Sequence, residues 1–182
     1  MLEALSAKVM AGLVSLSMFL FSTYTGNDPQ LSALKATVGR SYLQLNTRLV
    51  NAFDNDFPEL FKSGTTIPVH FKLEIKSKRQ SHWSKQYTNS TLYDSQTGFW
   101  SVRQSATGRS VKLSSYAQMI AAMTELDCSI PYESSWGEVN VRVEAWLPTV
   151  NFDKIDRKVN LMVLWNYQRP VTKASYNLRK PL

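Results

Sequence analysis

The chain is poor in the residues that build most metal sites and nucleophilic sites. It has a single cysteine, Cys128, and two histidines, His70 and His82. One thiol cannot form an internal disulfide, and zinc sites that use several cysteines are excluded. We interpret Cys128 as a small buried hydrophobic residue. A metal site would require both histidines to meet beside a carboxylate, so solvated or hydrogen-bonded histidines are the better interpretation.

Glycine-dependent motifs are also missing from the sequence. There is no Gly-x-Gly-x-x-Gly stretch, no lysine-containing phosphate loop and no Gly-x-Ser-x-Gly turn for a nucleophilic serine. The acids Asp54 and Asp56 remain as a carboxylate pair, but helix capping accounts for Asp56. We therefore predict that the protein is not an enzyme, and we identify no catalytic residues, cofactor, metal or small-molecule substrate.

Acidic residues are fewer than basic ones. The 182-residue chain carries 21 Lys and Arg against 14 Asp and Glu, which gives a formal net charge of +7. Such a charge favours contact with nucleic acid, anionic lipid or acidic polymers, without choosing among them. Hydrophobic residues make up 43% of the chain, so one domain can bury a packed core without disulfides.

Long apolar runs are rare, and one stands near the start of the chain. Residues 9–21 read VMAGLVSLSMFLF and contain no charge and no polar stripe. The run is shorter than the ~20 residues of a bilayer crossing and matches the hydrophobic region of a signal peptide. Thr23 and Thr25 make a poor cleavage site, which favours an uncleaved anchor. Residues 1–25 are thus predicted to be a signal peptide or an N-terminal membrane anchor, with membrane contact through residues 9–25.

Polar and apolar residues alternate through much of the remaining chain. A period of two is typical of a strand with one buried face. The predicted strands are residues 41–51, 66–76, 85–93, 99–104, 138–145 and 159–167. The last of these is more uniformly apolar than the others, which is compatible with a strand covered on both sides. Gly98 ends a hairpin loop between two of the strands.

Two helices interrupt the predicted strands. Asp56 and Glu59 form a capping box for a helical turn or two over residues 57–63. Ser115 and Gln118 form another before an amphipathic helix of about three turns, whose methionines are expected in the core.

These elements predict a mainly β, β-rich α+β fold. We expect an antiparallel sheet or sandwich of about six strands, with one short helix and one three-turn helix closing an open side. The chain then divides into the leader, a polar spacer at residues 26–37, a β-rich domain at residues 38–169 and a loose basic tail at residues 170–182.

Three features of the body together resemble a known family. They are FPELFKSGTTIPVHFKLEI (57–75), the basic step KRQSHWSKQY (78–87) that leads to YDSQTGFWSV (93–102), and a helix followed by GEVNVRVEAWL (137–147). Over residues 37–168 the chain is similar to the exported bacterial proteins grouped as domain of unknown function 4390. The resemblance implies export and a β-rich fold, and it supplies no catalytic residues.

Residues 76–87 are the most suggestive stretch for binding, because basic and aromatic side chains are interleaved there. The candidate surface-binding residues are Lys76, Lys78, Arg79, Trp83, Lys85 and Tyr87. Such a set can bind a nucleic-acid strand by charge and stacking, or lie against anionic headgroups with tryptophan at the interface. Export favours the membrane over nucleic acid. A solvated loop with one aromatic folded onto the core is the third interpretation.

The sequence as a whole predicts a non-enzymatic cell-envelope protein, exported or membrane-anchored, that presents a β-domain for protein or lipid contacts. Its location would be periplasmic, or membrane-anchored and facing the periplasm of a bacterium, with an envelope protein as a partner. Two alternatives stay open. The first is a subunit of a larger membrane protein assembly, to which Trp146 and residues 159–167 would offer apolar surface. The second is a nucleic-acid-binding β-barrel that uses residues 76–87.

Overall fold

A computed structural model describes residues 26–54, 57–77, 80–153 and 156–179. The predictions for the leader and for the Asp56 cap lie outside these residues. Within them the fold is mainly β, with antiparallel sheets stacked as a sandwich, and this confirms the predicted fold class.

A large sheet forms one layer of the sandwich. Its strands are β4 (Ile67–Lys76), β5 (Ser81–Asp94), β6 (Phe99–Gln104), β7 (Arg109–Leu113), β9 (Glu138–Trp146) and β12 (Val171–Asn177). They lie in the order β12-β9-β4-β5-β6-β7, and every neighbouring pair is antiparallel. The edge strands of this sheet are therefore β7 and β12.

A small sheet forms the second layer. Its strands are β1 (Gln30–Leu31), β2 (Lys35–Val38), β3 (Tyr42–Val50) and β8 (Glu125–Pro131). Strand β3 pairs with β8 and also with β1 and β2. The remaining elements are the hairpin β10 (Thr149–Phe152) and β11 (Arg157–Asn160), helices α1 (Phe57–Phe61) and α2 (Tyr116–Thr124), and 3-10 helices Ser134–Trp136 and Leu161–Trp165.

The core lies between the sheets and follows the alternation of the sequence. Strands β3, β4 and β9 form where the period of two predicted them. In β4 the side chains of Val69, Phe71, Leu73 and Ile75 are all 0% exposed, while the residues between them are half-buried or exposed. Removing these apolar surfaces from water stabilises the sandwich by roughly 1.5–3 kcal/mol for each side chain.

Helix α2 closes the sandwich beside the small sheet. Met119 and Met123 are 0% exposed, which confirms that they belong to the core. The predicted capping box is wrong, because the Ser115 side chain makes no capping hydrogen bond. The other end of the helix is held instead: Asn89 Nδ2 donates to the carbonyls of Met123 and Glu125 at 3.1 and 2.6 Å. Gln104 Nε2 likewise donates to the Ala122 carbonyl at 2.8 Å, so sheet side chains serve carbonyls that the helix leaves unpaired.

Both segments predicted to flank the domain as unstructured chain form strands. Residues 26–37 hold β1 and most of β2 rather than a spacer, and Asn27 is buried with its N–H donating to the Leu164 carbonyl at 2.9 Å. In the expected tail, β12 pairs with β9 over its whole length. These strands lie at sheet edges, where only one side of the strand is covered by a neighbour, and they carry many polar residues. Their sequences therefore resemble those of loops.

The predicted strand at residues 159–167 is also wrong. Strand β11 ends at Asn160, whose Oδ1 accepts from the Met162 N–H at 3.1 Å and begins the 3-10 helix. Leu161, Leu164 and Trp165 are buried, and Trp165 Nε1 donates to the Ala52 carbonyl at 2.9 Å. A short, uniformly apolar run is compatible with a buried strand or a buried helical turn, so periodicity does not distinguish them.

Candidate surface-binding site

The candidate binding residues of the sequence are not gathered on one surface. Trp83, Lys85 and Tyr87 lie on the side of β5 that faces the core, opposite Ile75, Leu73 and Phe71 of β4. Lys76 lies on β4 opposite Asn140 of β9. It belongs to the face of the sheet that is turned away from the core. Its Nζ is 3.2 Å from Glu74 Oε2. Lys78 and Arg79 lie outside the described residues.

Tyr87 is a core side chain and offers no ring for stacking on a ligand. It is 3% exposed, and burial raises its pKa to about 12. Lys85 is exposed, and its Nζ lies 5.2 Å from the Tyr87 ring centroid, where a cation–π contact holds it. Trp83 is half-buried and packs against the core cluster. The interpretation with an aromatic folded onto the core therefore fits Tyr87, but the predicted loop is wrong, because residues 81–87 lie in β5.

Both histidines are hydrogen-bonded, as predicted. His70 Nδ1 lies 2.9 Å from Thr88 Oγ1, and burial lowers the pKa of His70. His82 Nε2 lies 3.0 Å from Ser77 Oγ, and its ring stacks on Trp136 with centroids 4.8 Å apart. In the part of the chain that the structure describes, no three side chains of His, Cys, Asp or Glu are grouped as metal ligands.

The outer face of the large sheet, turned away from the small sheet, carries most of the charged side chains of that sheet. Around β4 and β9 these charges are paired. Glu74 lies 2.9 Å from Lys72 Nζ, 3.2 Å from Lys76 Nζ and 3.9 Å from Arg142. Hydrogen bonds from Lys72 and then Lys76 hold the pKa of Glu74 below its ordinary value.

Glu144 completes this paired region. Its carboxylate lies 2.5 Å from Arg142 and 3.3 Å from Arg169. Arg169 also lies over the Trp146 ring at 5.7 Å, and the His70 ring packs against Trp146 with centroids 5.3 Å apart. Trp146, which the sequence offered as apolar surface for a partner, is thus half-buried between two side chains of its own chain.

Strands β5, β6 and β7 carry a different arrangement on the same outer face, which we call the serine trough. Its polar lining residues are Thr66, Ser90, Thr91, Ser101, Arg103, Ser110 and Lys112. The strand register sets Arg103 between Ser90 and Ser110, and sets Ser101 opposite Lys112. The trough has a volume of about 430 Å³, and none of its lining residues is acidic. Sequence reasoning missed it, although the outward positions of FWSVRQ and RSVKL contain its cations.

Two exposed apolar side chains accompany the serine trough. Leu92 lines it and is 42% exposed, while Phe99, at the start of β6, is 40% exposed. Leu92 pairs with Ser101, and Phe99 is the next outward residue along β6, so both belong to the outer face. Within the described ranges, neither Arg103 nor Lys112 has an acidic group within 4.0 Å. The trough is therefore a basic surface with apolar side chains at one end.

Among residues 26–54, 57–77, 80–153 and 156–179, no helix has the length and apolarity to cross a bilayer. Comparisons with protein-family models, curated proteins and solved structures give no significant match. The resemblance to exported bacterial proteins accordingly stays a prediction.

Proposed function

We propose that this chain is a non-enzymatic cell-envelope protein, exported or membrane-anchored, which presents its β-domain for protein or lipid contacts. The observation that supports the proposal is the uneven charge of the outer face. Four cations around β4 and β9 share the carboxylates of Glu74 and Glu144, whereas Arg103 and Lys112 in the serine trough have no acid among the lining residues. A surface of unmatched positive charge attracts anionic partners.

The paired region supports the same proposal in a different way. Exposed ion pairs add little to stability, typically about 0–1 kcal/mol each. Their main effect here is to neutralise part of the charge around β4 and β9, whereas no carboxylate lines the trough. Because the trough lies on paired strands, its side chains keep their spacing without ordering a loop on binding.

A subunit of a larger membrane assembly is the second candidate. Leu92 and Phe99 favour it, because exposed apolar side chains beside charged ones are common where proteins meet. The nucleic-acid alternative loses a predicted stacking residue, since the buried Tyr87 offers no ring to a base.

Cell fractionation of the full chain, expressed in a bacterial host with a C-terminal tag, tests the proposal. We expect the protein in the membrane or periplasmic fraction. The control variant Leu13→Arg places a charge within the apolar run and should leave the protein in the cytoplasm, because a charge inside this run opposes insertion. Wild-type protein in the cytoplasm with residues 9–21 intact would refute the proposal.

N-terminal sequencing of the same material separates the two forms of the leader. A start at Met1 indicates an anchor, and a start at Gly26 indicates a released domain. Processing beyond Asn27 is not expected, because it would remove the hydrogen bond from the Asn27 N–H to the Leu164 carbonyl. Size measurement after detergent extraction then addresses the assembly, since a lone species of 20.7 kDa would count against it.

A further inference from the structure

We infer that the serine trough binds the phosphate headgroups of an anionic phospholipid surface. The inference deepens the proposed function, and it rests on that function in placing the protein where such a surface exists. The partner of the outer face would then be a phosphate group that lies beside apolar chains.

The spacing of the two cations fits a shared anion. Arg103 and Lys112 lie on adjacent strands, offset by one outward position in the register. Such diagonal neighbours have backbones about 7–8 Å apart, which long side chains easily span. Side chains of like charge on neighbouring positions repel each other, and an anion between them relieves that repulsion. A phosphate oxygen can accept from the planar guanidinium and from the ammonium at the same time.

Hydroxyl groups surround the two cations. Ser90 and Ser110 flank Arg103 along the cross-strand row, and Ser101 lies opposite Lys112. Each serine can donate one hydrogen bond to an anionic oxygen. Strands β5 and β6 have neighbours on both sides, so their backbone amides are engaged in the sheet and the side chains supply the donors there. The volume of about 430 Å³ lies within the roughly 300–1,000 Å³ of small-molecule sites.

Leu92 and Phe99 favour a lipid as the source of the phosphate. Free phosphate would gain nothing from exposed apolar side chains, which cost free energy in water. At a membrane surface, basic groups meet headgroups while aromatic and aliphatic side chains enter the interface. The open shape of the trough, on the flat face of a sheet, also suits a headgroup presented by a surface.

The acidic groups near the trough are occupied elsewhere. Asp94 Oδ1 accepts from the Gln96 N–H at 2.9 Å and its Oδ2 accepts from the Thr97 hydroxyl at 2.7 Å, both within the hairpin turn. Lys112 is the weakest of the influences that lower the pKa of Asp94. An adjoining trough that shares Thr66 and Leu92 contains Asp153, which accepts from Asn151 Nδ2 at 2.5 Å.

The test measures binding of the full chain to vesicles of phosphatidylglycerol mixed with phosphatidylcholine. Wild type is compared with the double variant Arg103→Gln/Lys112→Gln. Each basic residue near an anionic surface contributes about 1 kcal/mol, so we expect about 30-fold weaker binding. The matched control is Lys35→Gln/Arg40→Gln, which removes the same charge from exposed positions on β2 and in the bend that follows it and should change binding less than about threefold.

Each outcome decides the inference. Equal losses in the two double variants would mean that net charge alone drives binding, and no loss in either would assign binding to the leader. Both results overturn the trough. Inorganic phosphate that binds wild type as tightly as the vesicles do would overturn the lipid as the source. Thermal unfolding of both double variants checks that the sheet is intact, and all these positions are surface positions.

A third variant separates a lipid from a free anion. Phe99→Ser should weaken vesicle binding while leaving the response to inorganic phosphate unchanged; equal vesicle binding by this variant and wild type would count against interfacial contact. If the chain is located in the envelope but does not bind vesicles, the lipid-binding inference is overturned. The proposed function then stands with a protein as the partner. If the chain is cytoplasmic but still binds vesicles through the trough, the proposed location is overturned and the trough remains a lipid-binding site.

Discussion

Asn89 gives the sharpest test of how the sheet holds helix α2. Its side chain is 1% exposed and donates hydrogen bonds to the Met123 and Glu125 carbonyls at 3.1 and 2.6 Å. A neutral hydrogen bond contributes about 1 kcal/mol net, and a buried carbonyl left without a donor costs about 1–3 kcal/mol. We therefore expect Asn89→Ala to lower the free energy of unfolding by about 3 kcal/mol. In a chain of this size the corresponding fall in Tm is roughly 6–12 °C.

Urea unfolding followed by circular dichroism measures the effect. The matched control is Asn140→Ala, because Asn140 is exposed and accepts a hydrogen bond from Ser175 at 2.7 Å. Surface changes of this kind usually alter stability by less than about 0.5 kcal/mol. If the two alanine variants lose similar stability, the contacts of Asn89 do not hold the helix end.

A second substitution tests the direction of these hydrogen bonds. Asn89→Asp replaces the donating amide with a carboxylate that faces two carbonyl oxygens. At neutral pH this variant should be less stable than Asn89→Ala, because a buried charge without a donor is costly. In acid, protonation returns a donor, so the gap between the two variants should narrow. An aspartate variant as stable as wild type at neutral pH would contradict the geometry.

Three further predictions concern charge, reactivity and packing. Lys72 and Lys76 lower the pKa of Glu74. The ionised carboxylate therefore stabilises the fold at pH values above its ordinary pKa of 4.5, and this contribution is lost as the pH falls. Urea titrations should find wild type more stable than Glu74→Gln by about 1 kcal/mol at neutral pH, and by less in acid. Burial raises the pKa of Cys128 to about 12, so iodoacetamide should label it only after denaturation, and rapid labelling of native protein would contradict its burial. Met119→Ala should cost about 2–5 kcal/mol in calorimetry, whereas Gln118→Ala, at an exposed position of the same helix, should cost little.

The strands that alternation predicted are those with one fully buried face. In β4, side chains at every second position enter the core and those between them do not, so the period of two is complete. Strand β8 carries the same signal in Leu126, Cys128 and Ile130, but it follows α2 without a break. The helical spacing of the preceding residues extended the predicted helix over its start, and the strand was missed.

Edge strands and short helical turns were not predictable in the same way. Strand β12 has half-buried residues at Thr172, Ala174 and Tyr176, none of them strongly apolar. Tyr176 OH donates to the Leu34 carbonyl at 2.9 Å across the sandwich, and a partner so distant in sequence leaves no local pattern. The 3-10 helix after Asn160 depends likewise on a single side chain that accepts from the Met162 N–H.

The binding surface depends even more on tertiary structure. Residues 76–87 interleave basic and aromatic side chains, but the pleat of β5 directs Tyr87 into the core while Lys76 of β4 pairs with Glu74. Arg103 and Lys112 do not stand out in the sequence, because Arg103 is the single cation of β6 and Lys112 shares the short strand β7 with Arg109. They became neighbours only when β6 and β7 paired in register.

The sequence by itself determined the β-rich class, the inward side of the main strands and the core position of the α2 methionines, because burial against water imposes local periods of two and 3.6 residues. Tertiary structure alone decided which strands are neighbours, which segments serve as edges and which cations are left without an acid. Those properties depend on pairing between segments far apart in the chain. The hydrogen bonds between paired strands bring such side chains together, and no local sequence pattern is required that would identify their partners.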